Sequence, residues 1–243
     1  MRNNPVSGAI FMLRGLSLIT RPSVRKFVVI PLAINILLFG SLIWFGADQF
    51  DAIMDRLLPP DWALLRYLLW PIFAVSVLVL GFYTFTLIGN LVAAPFNGML
   101  AEAVERELTG RPVDGPTGLK SIAKDVAGSL ASEVRKLAYV LKFMVPLALL
   151  FLIPVINLAA PFLWLAFSAW MLAITYADFP MGNHGLRFQE IRARLSGRRL
   201  LTLGFGGAIM VGIMIPFLNL LMIPAAVAGA TAMWVDELSQ DGA

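Results

Sequence analysis

The sequence predicts an all-α integral membrane protein with two long transmembrane helices, two proline-broken helical hairpins inserted part-way, and amphipathic helices at the interface. Three observations carry this reading. Hydrophobic residues make up 59% of the 243 residues and charged residues only 14%, against about 25% charge in a soluble domain. Four stretches hold no Asp, Glu, Lys or Arg: Phe27–Ala47, Tyr67–Ala101, Phe143–Ala177 and Leu200–Val235. Each exceeds the roughly 18–20 residues that a spanning helix needs. The 19 Lys and Arg residues, finally, are shared unevenly between these stretches, which sets sidedness through the excess of basic residues in cytoplasmic loops.

The elements follow in chain order within a single membrane domain, 1–243. Asn4-Pro5 starts a helix over 5–19, with Pro in the first turn where no donor is lost. Val6, Ile10, Leu13 and Ser17 mark one face, as in a helix lying in the interface. Thr20-Arg21-Pro22 ends it, and Pro22 or Ser23 opens the first spanning helix, 23–47. Arg2, Arg14, Arg21, Arg25 and Lys26 precede its apolar run and place the N-terminus in the cytoplasm. No cleavable signal pattern is visible, so the first run reads as a retained anchor. The next loop carries Asp48, Asp51, Asp55 and Asp61 around Pro59-Pro60, against only Arg56 and Arg66, and reads as external. The second span, 67–108, returns to a basic segment that includes Arg111, Lys120, Lys124, Arg135 and Lys142. Within it, Leu119, Ile122, Val126, Leu130, Val134, Leu137 and Leu141 recur three and four apart, giving an amphipathic helix over 118–142. Lys120, Lys124, Glu133 and Lys136 form its other face.

The third run begins and ends beside basic segments, so it enters the membrane and returns on the same side, as a hairpin over 143–177. Its arm Phe143–Ile153 has 11 residues, about 17 Å of helix and roughly half a bilayer. The fourth run, 200–235, repeats the pattern. Ile153-Pro154-Val155-Ile156-Asn157-Leu158 matches Ile215-Pro216-Phe217-Leu218-Asn219-Leu220, with Pro161 and Pro224 following and Trp170 or Trp234 ending each arm. Proline and asparagine simply turn at a buried corner in one reading. In the other, paired broken segments point to a permeation path. The two are compatible. Arg187–Arg199 is a short basic amphipathic stretch suited to anionic lipid.

Composition also excludes function classes. There is no cysteine and a single histidine, His184, so disulfide scaffolds, thiolate sites, Cys nucleophiles and His-rich metal sites are ruled out. No phosphate-binding loop, nucleophile elbow or metal signature occurs. The chain reads as a non-enzyme with no cofactor, metal or ATP. Its net charge of +4 reports loop sidedness rather than nucleic-acid binding.

Two groups of residues could carry chemistry. Pro22, Ser23, Val24, Arg25 and Lys26 open a spanning helix, where unpaired backbone N–H groups, the helix dipole and two cations together favour an anion. The same Arg and Lys also serve as ordinary topology anchors. The second group is a polar set inside or beside the apolar runs: Asn35, Asn90, Asn97, Asn157, Asn219, Glu102, Arg106 and His184. An uncharged amide offers donors and acceptors to a passing oxyanion without trapping it. For any single Asn, interhelical hydrogen bonding that holds the bundle together is the better reading, while five together shift the balance towards a shared polar lining. Glu102 and Arg106 are most simply an i,i+4 pair, with a gate as the second reading. His184 is a proton-coupling candidate or part of a turn at the membrane surface.

These residues carry a resemblance. Gly15-Leu16 through Pro22-Ser23-Val24-Arg25-Lys26-Phe27 with Pro31 and Asn35, then Asn90-Leu91-Val92-Ala93-Ala94-Pro95-Phe96-Asn97-Gly98 leading to Glu102, then Glu133-Val134-Arg135-Lys136, then Tyr176-Ala177-Asp178-Phe179-Pro180 with Asn183-His184 resemble the CysZ sulfate permease family. That family shares a domain with the etoposide-induced proteins. The resemblance covers nearly the whole chain. One departure is Lys26, where the resemblance leads one to expect a second Arg in some relatives; a point charge replaces a bidentate fork there. The resemblance implies sulfate uptake across the bacterial inner membrane, as a channel or proton-coupled permease supplying cysteine biosynthesis. It further implies a homo-oligomer, with sulfate held on the Pro22–Phe27 stretch. The alternative is a non-transporting membrane scaffold that shapes the bilayer or recruits partners.

Overall fold

The computed structural model describes residues 3–57, 63–112, 119–216 and 218–239, and the described residues are almost entirely helical. Arg2, Pro59-Pro60, Asp61 and Phe217, all used in the reading above, lie outside the described residues. The same holds for the side chains of Asn90 and of the amphipathic positions Leu119, Ile122, Val126 and Leu130. The helices are α1 (Pro5–Leu18), α2 (Pro22–Leu57), α3 (Ala63–Thr109), α4 (Leu119–Leu150), α5 (Ala160–Asn183), α6 (Phe188–Gly197), α7 (Arg199–Ile213) and α8 (Asn219–Met233). A 3₁₀ turn, Ile156–Leu158, precedes α5, and a π turn, Trp234–Leu238, follows α8.

The chain divides into two compact units, Lys26–Phe96 and a second built from Met1–Arg25 with Asn97–Ala243. The first unit holds most of α2 and α3. Its described apolar side chains are largely exposed, among them Ile36, Trp44, Leu64, Tyr67 and Trp70, as suits helices surrounded by hydrocarbon.

In the second unit α1 packs against α7 and α8, and α5 packs against the same pair. The sequence reading takes α1 as an interfacial helix with Val6, Ile10 and Leu13 on its working face. Those three residues are exposed, and the opposite face, with Phe11, Met12, Gly15 and Leu18, is buried. Small residues decide this. A Cβ on Gly15 would lie 2.0 Å from the Ala225 carbonyl oxygen, and one on Gly204 2.0 Å from that of Pro5. Helix α8 contributes Ala225, Ala226, Ala228, Gly229, Ala230 and Ala232 to the same interior, all fully buried. Because lipid is as apolar as leucine, close backbone approach and dispersion hold such helices together. Asn4 caps α1 by accepting the Ser7 N–H at 2.7 Å.

Both proline-bearing breaks are present. The first separates α4 from α5 and contains Pro154 and Asn157, with Val155 at a φ of 68°. The second separates α7 from α8 and contains Pro216. Among the described residues, three helical segments are long and apolar enough to cross a membrane: Pro22–Phe45, Ala160–Asn183 and Asn219–Leu238. By contrast α7 has 15 residues, about 22 Å of helix.

Candidate functional site

The residues with chemistry collect where the helices of the second unit end. The N–H groups of Val24 and Arg25 both donate to the Arg21 carbonyl oxygen, at 3.0 and 2.8 Å. Pro22 has no N–H to give. The helix start therefore presents fewer free donors than the sequence suggests, because the turn closes on Arg21. The Val24 side chain is fully buried, and Arg25 is exposed. Ser23 Oγ donates to Glu107 at 2.6 Å, and Arg21 Nη1 lies 2.9 Å from the same carboxylate. Arg25 makes no ion pair among the described residues. In the other unit Lys26 sits with its ammonium 5.0 Å from the Phe27 ring centroid.

The end of α3 meets the end of α5 at a second cluster. His184 Nε2 lies 2.8 and 3.0 Å from the two carboxylate oxygens of Glu105, which is 9% exposed. The neighbouring Asn183 Nδ2 donates to the Gly98 carbonyl at 3.0 Å, and the His184 ring lies 5.3 Å from Trp234. The expected Glu102–Arg106 pair is not formed: both are described, and neither makes an ion pair. Instead their sequence neighbours Glu105 and Glu107 make the contacts, because a half-turn of helix aims those carboxylates at His184 and Arg21. Asn97 and Glu102 are half-buried, while Asn157 and Asn219 are exposed at the two breaks. In the other unit Asn35 is half-buried along α2.

A third cluster fastens the π turn. Asp236 pairs with Arg14, Glu237 pairs with Arg198 at 2.5 Å, and Arg194 Nη1 donates to the Leu238 carbonyl at 2.7 Å. Arg194 also lies over the Trp234 ring at 5.2 Å. The wider π turn lets the consecutive carboxylates reach Arg14 on α1 and Arg198 at the junction of α6 and α7. Sequence reasoning singled out none of Glu105, Glu107, Asp236 or Glu237 as site residues. The run Glu102-Ala103-Val104-Glu105-Arg106-Glu107 at the edge of an apolar stretch was the available signal.

The arrangement defines a helical membrane protein whose described ionic groups gather at helix ends, leaving apolar flanks to lipid. The family described as "Sulfate transporter CysZ/Etoposide-induced protein 2.4" matches residues 11–224. A protein named "Sulfate transporter CysZ" from Pseudomonas paraeruginosa is 44% identical over 235 residues, covering 96% of each chain. Its counterpart in Pseudomonas aeruginosa is 43% identical over 96% of each chain. That of Pseudomonas syringae pv. tomato is 44% identical over 97% of this chain and 94% of the relative. The chain belongs to the sulfate transporter CysZ/etoposide-induced protein 2.4 family.

Proposed function

We propose that this protein takes sulfate up across the bacterial inner membrane and so supplies sulfur for cysteine biosynthesis. The observation that carries the proposal is 44% identity to a sulfate transporter across 96% of both chains. Arg25 is the leading sulfate ligand: an exposed cation without an ion-pair partner among the described residues, on the first turn of α2. Lys26, Ser23, Pro22 and Val24 complete the stretch, with Val24 limited to a backbone role by its buried side chain. Asn35 and Asn90 in one unit, and Asn97, Asn157, Asn219, Glu102, Arg106 and His184 in the other, are the proposed polar lining of the permeation path.

Two long helices, within 23–47 and 67–108, span the bilayer in this reading, with the N-terminus cytoplasmic. The segments 143–177 and 200–235 insert part-way as hairpins. Support for this comes from α7, too short to cross, and from the exposed apolar residues Leu152, Val155 and Leu158 at the first break. Helix α5 is longer because its last two turns, with Tyr176, Ala177 and Met181 buried, pack on protein. The exposed Val6, Ile10 and Leu13 face of α1 and the amphipathic helix over 118–142 rest on the membrane surface, and the protein works as a homo-oligomer.

The test is uptake of radiolabelled sulfate into liposomes that contain only the purified protein, with and without an imposed pH gradient. Uptake above that of empty liposomes is expected. A response to the gradient distinguishes coupled transport from a channel. Absence of flux from folded, reconstituted protein would favour the scaffold reading instead.

A further inference from the structure

Between α4, α5, α6 and α7, wholly within the larger unit, lies a cavity of about 520 Å³ that the transport reading does not use. One wall is aromatic. Tyr139 and Phe143 have ring centroids 4.8 Å apart, Phe143 and Phe167 6.0 Å apart, and Trp170 Nε1 donates to the Tyr139 hydroxyl at 3.1 Å. The other wall is cationic. Arg192 lies over the Tyr139 ring with its guanidinium carbon 5.3 Å from the centroid, and Arg199 is held by a 3.3 Å hydrogen bond from its Nε to the Ser196 carbonyl. Neither guanidinium pairs with a carboxylate among the described residues. A third cation, the Lys142 ammonium, lies 6.0 Å from the Phe143 ring.

The position of this cavity along the chain is as informative as its chemistry. Phe143 is the first residue of one charge-free run, and Arg199 immediately precedes another. The cavity therefore straddles the level at which charged sequence gives way to apolar sequence on two elements at once, the depth of lipid headgroups. Its size falls in the range of small-molecule sites, which pair an apolar lining with a few placed polar groups. A bare oxyanion would engage the guanidiniums and leave the Phe143, Phe167 and Trp170 wall in water. A zwitterionic headgroup would set its own ammonium against Arg192 and Arg199. An amphiphile with a net negative phosphate satisfies both walls, since a guanidinium fork matches phosphate geometry.

We propose that this cavity binds an anionic phospholipid, with its phosphate held by Arg192 and Arg199 and its first acyl carbons against Phe143, Phe167 and Trp170. The lipid joins four helices, so it acts as a fastener between the break-bearing segments as well as an anchor to the leaflet.

The experiment titrates full-length protein in neutral detergent with dihexanoyl phosphatidylglycerol, dihexanoyl phosphatidylcholine, or inorganic phosphate and sulfate, with binding followed by calorimetry. Saturable phosphatidylglycerol binding is expected. Arg192→Gln with Arg199→Gln should weaken it by about tenfold or more, the effect of losing a charge-assisted hydrogen bond, while the melting temperature in lipid-free detergent stays unchanged. Equal affinity for phosphatidylcholine would overturn the proposal. So would inorganic phosphate or sulfate binding as tightly as the lipid, which would make the cavity a free-anion site. Should the arginine variant not fold, tryptophan quenching by phosphatidylglycerol brominated on its acyl chains takes its place. Trp170→Phe should remove a component of that quenching that brominated phosphatidylcholine does not produce, and an unaltered quenching profile would count equally against the site.

Discussion

Both carboxylate oxygens of Glu105 face Nε2 of His184, at 2.8 and 3.0 Å, joining the end of α3 to the end of α5 across 79 residues of sequence. The ring nitrogen and the carboxylate thus form one hydrogen-bonded contact between the two helix ends. Glu105 is 9% exposed and so largely shielded, whereas His184 packs near Trp234 on one side and stays open to water on the other. Glu105→Ala should lower the stability of the detergent-solubilised protein by about 0.5–1.5 kcal/mol, the net worth of a hydrogen bond whose remaining partner, His184, can turn to water. The double variant with His184→Ala should cost less than the two single variants added together. Thermal melts of the four proteins check this, and strictly additive losses would show that the contact contributes nothing.

Arg25 is an exposed cation that supports no other part of the described structure. Arg25→Ala should therefore weaken sulfate binding by about tenfold or more, as removal of a charge-assisted donor does, and leave the melt unchanged. Calorimetry with sulfate in detergent reads the first effect. Unaltered affinity in the folded variant removes Arg25 from the site.

Gly15 and Gly40 form an internally controlled pair. A Cβ on Gly15 would meet the Ala225 carbonyl oxygen at 2.0 Å and the Gly229 nitrogen at 2.7 Å, whereas one on Gly40 meets nothing within 4 Å. Gly15→Ala should cost about 1–3 kcal/mol, because backbone rather than a flexible side chain must move. Gly40→Ala should be neutral or slightly stabilising, since alanine favours the helix. Melts that rank the two variants the other way would refute the close packing of α1 on α8.

Glu237 is 5% exposed and paired with Arg198 at 2.5 Å. Removing Arg198 takes a charged partner from a carboxylate that is 5% exposed, at a cost of about 1–3 kcal/mol. In Arg198→Ala that loss should fall on the π turn first. Proteolysis after Trp234 should accelerate well before the helices melt. Wild-type cleavage rates at the C-terminus would mean that Arg14 and Arg194 hold the segment without Arg198.

The helical class was legible because charge-free runs such as Tyr67–Ala101 record the solvent directly. No soluble core explains 35 consecutive residues without charge. The breaks at Pro154 and Pro216 were legible for a local reason: proline removes a donor and clashes with the preceding turn. Glu105 and Glu107 were not. Three glutamates close together at the end of α3 are alike by composition, and the identity of the two that pair depends on where α5 and the Arg21 turn happen to arrive. Glu102 and Arg106 illustrate the converse error. Their i,i+4 spacing permits a pair worth only about 0.2–0.5 kcal/mol, too little to hold either side chain once solvent offers an alternative.

Helix α1 divides the two sources of information cleanly. Its Asn4-Pro5 start and its exposed Val6, Ile10 and Leu13 face follow from local rules that act within a few residues. That Gly8, Gly15, Gly204 and Gly229 allow it to lie against α7 and α8 could not be inferred from any window of sequence. The sequence by itself determined the solvent of this protein, the helix breaks and its family, because those depend on short-range chemistry and on ancestry. Only the tertiary structure decided which carboxylate meets His184, which arginines hold the C-terminal turn and where a cavity opens. Those outcomes depend on how closely helices far apart in the chain pack, from 79 residues for Glu105 and His184 to 222 for Arg14 and Asp236, and no periodicity records it.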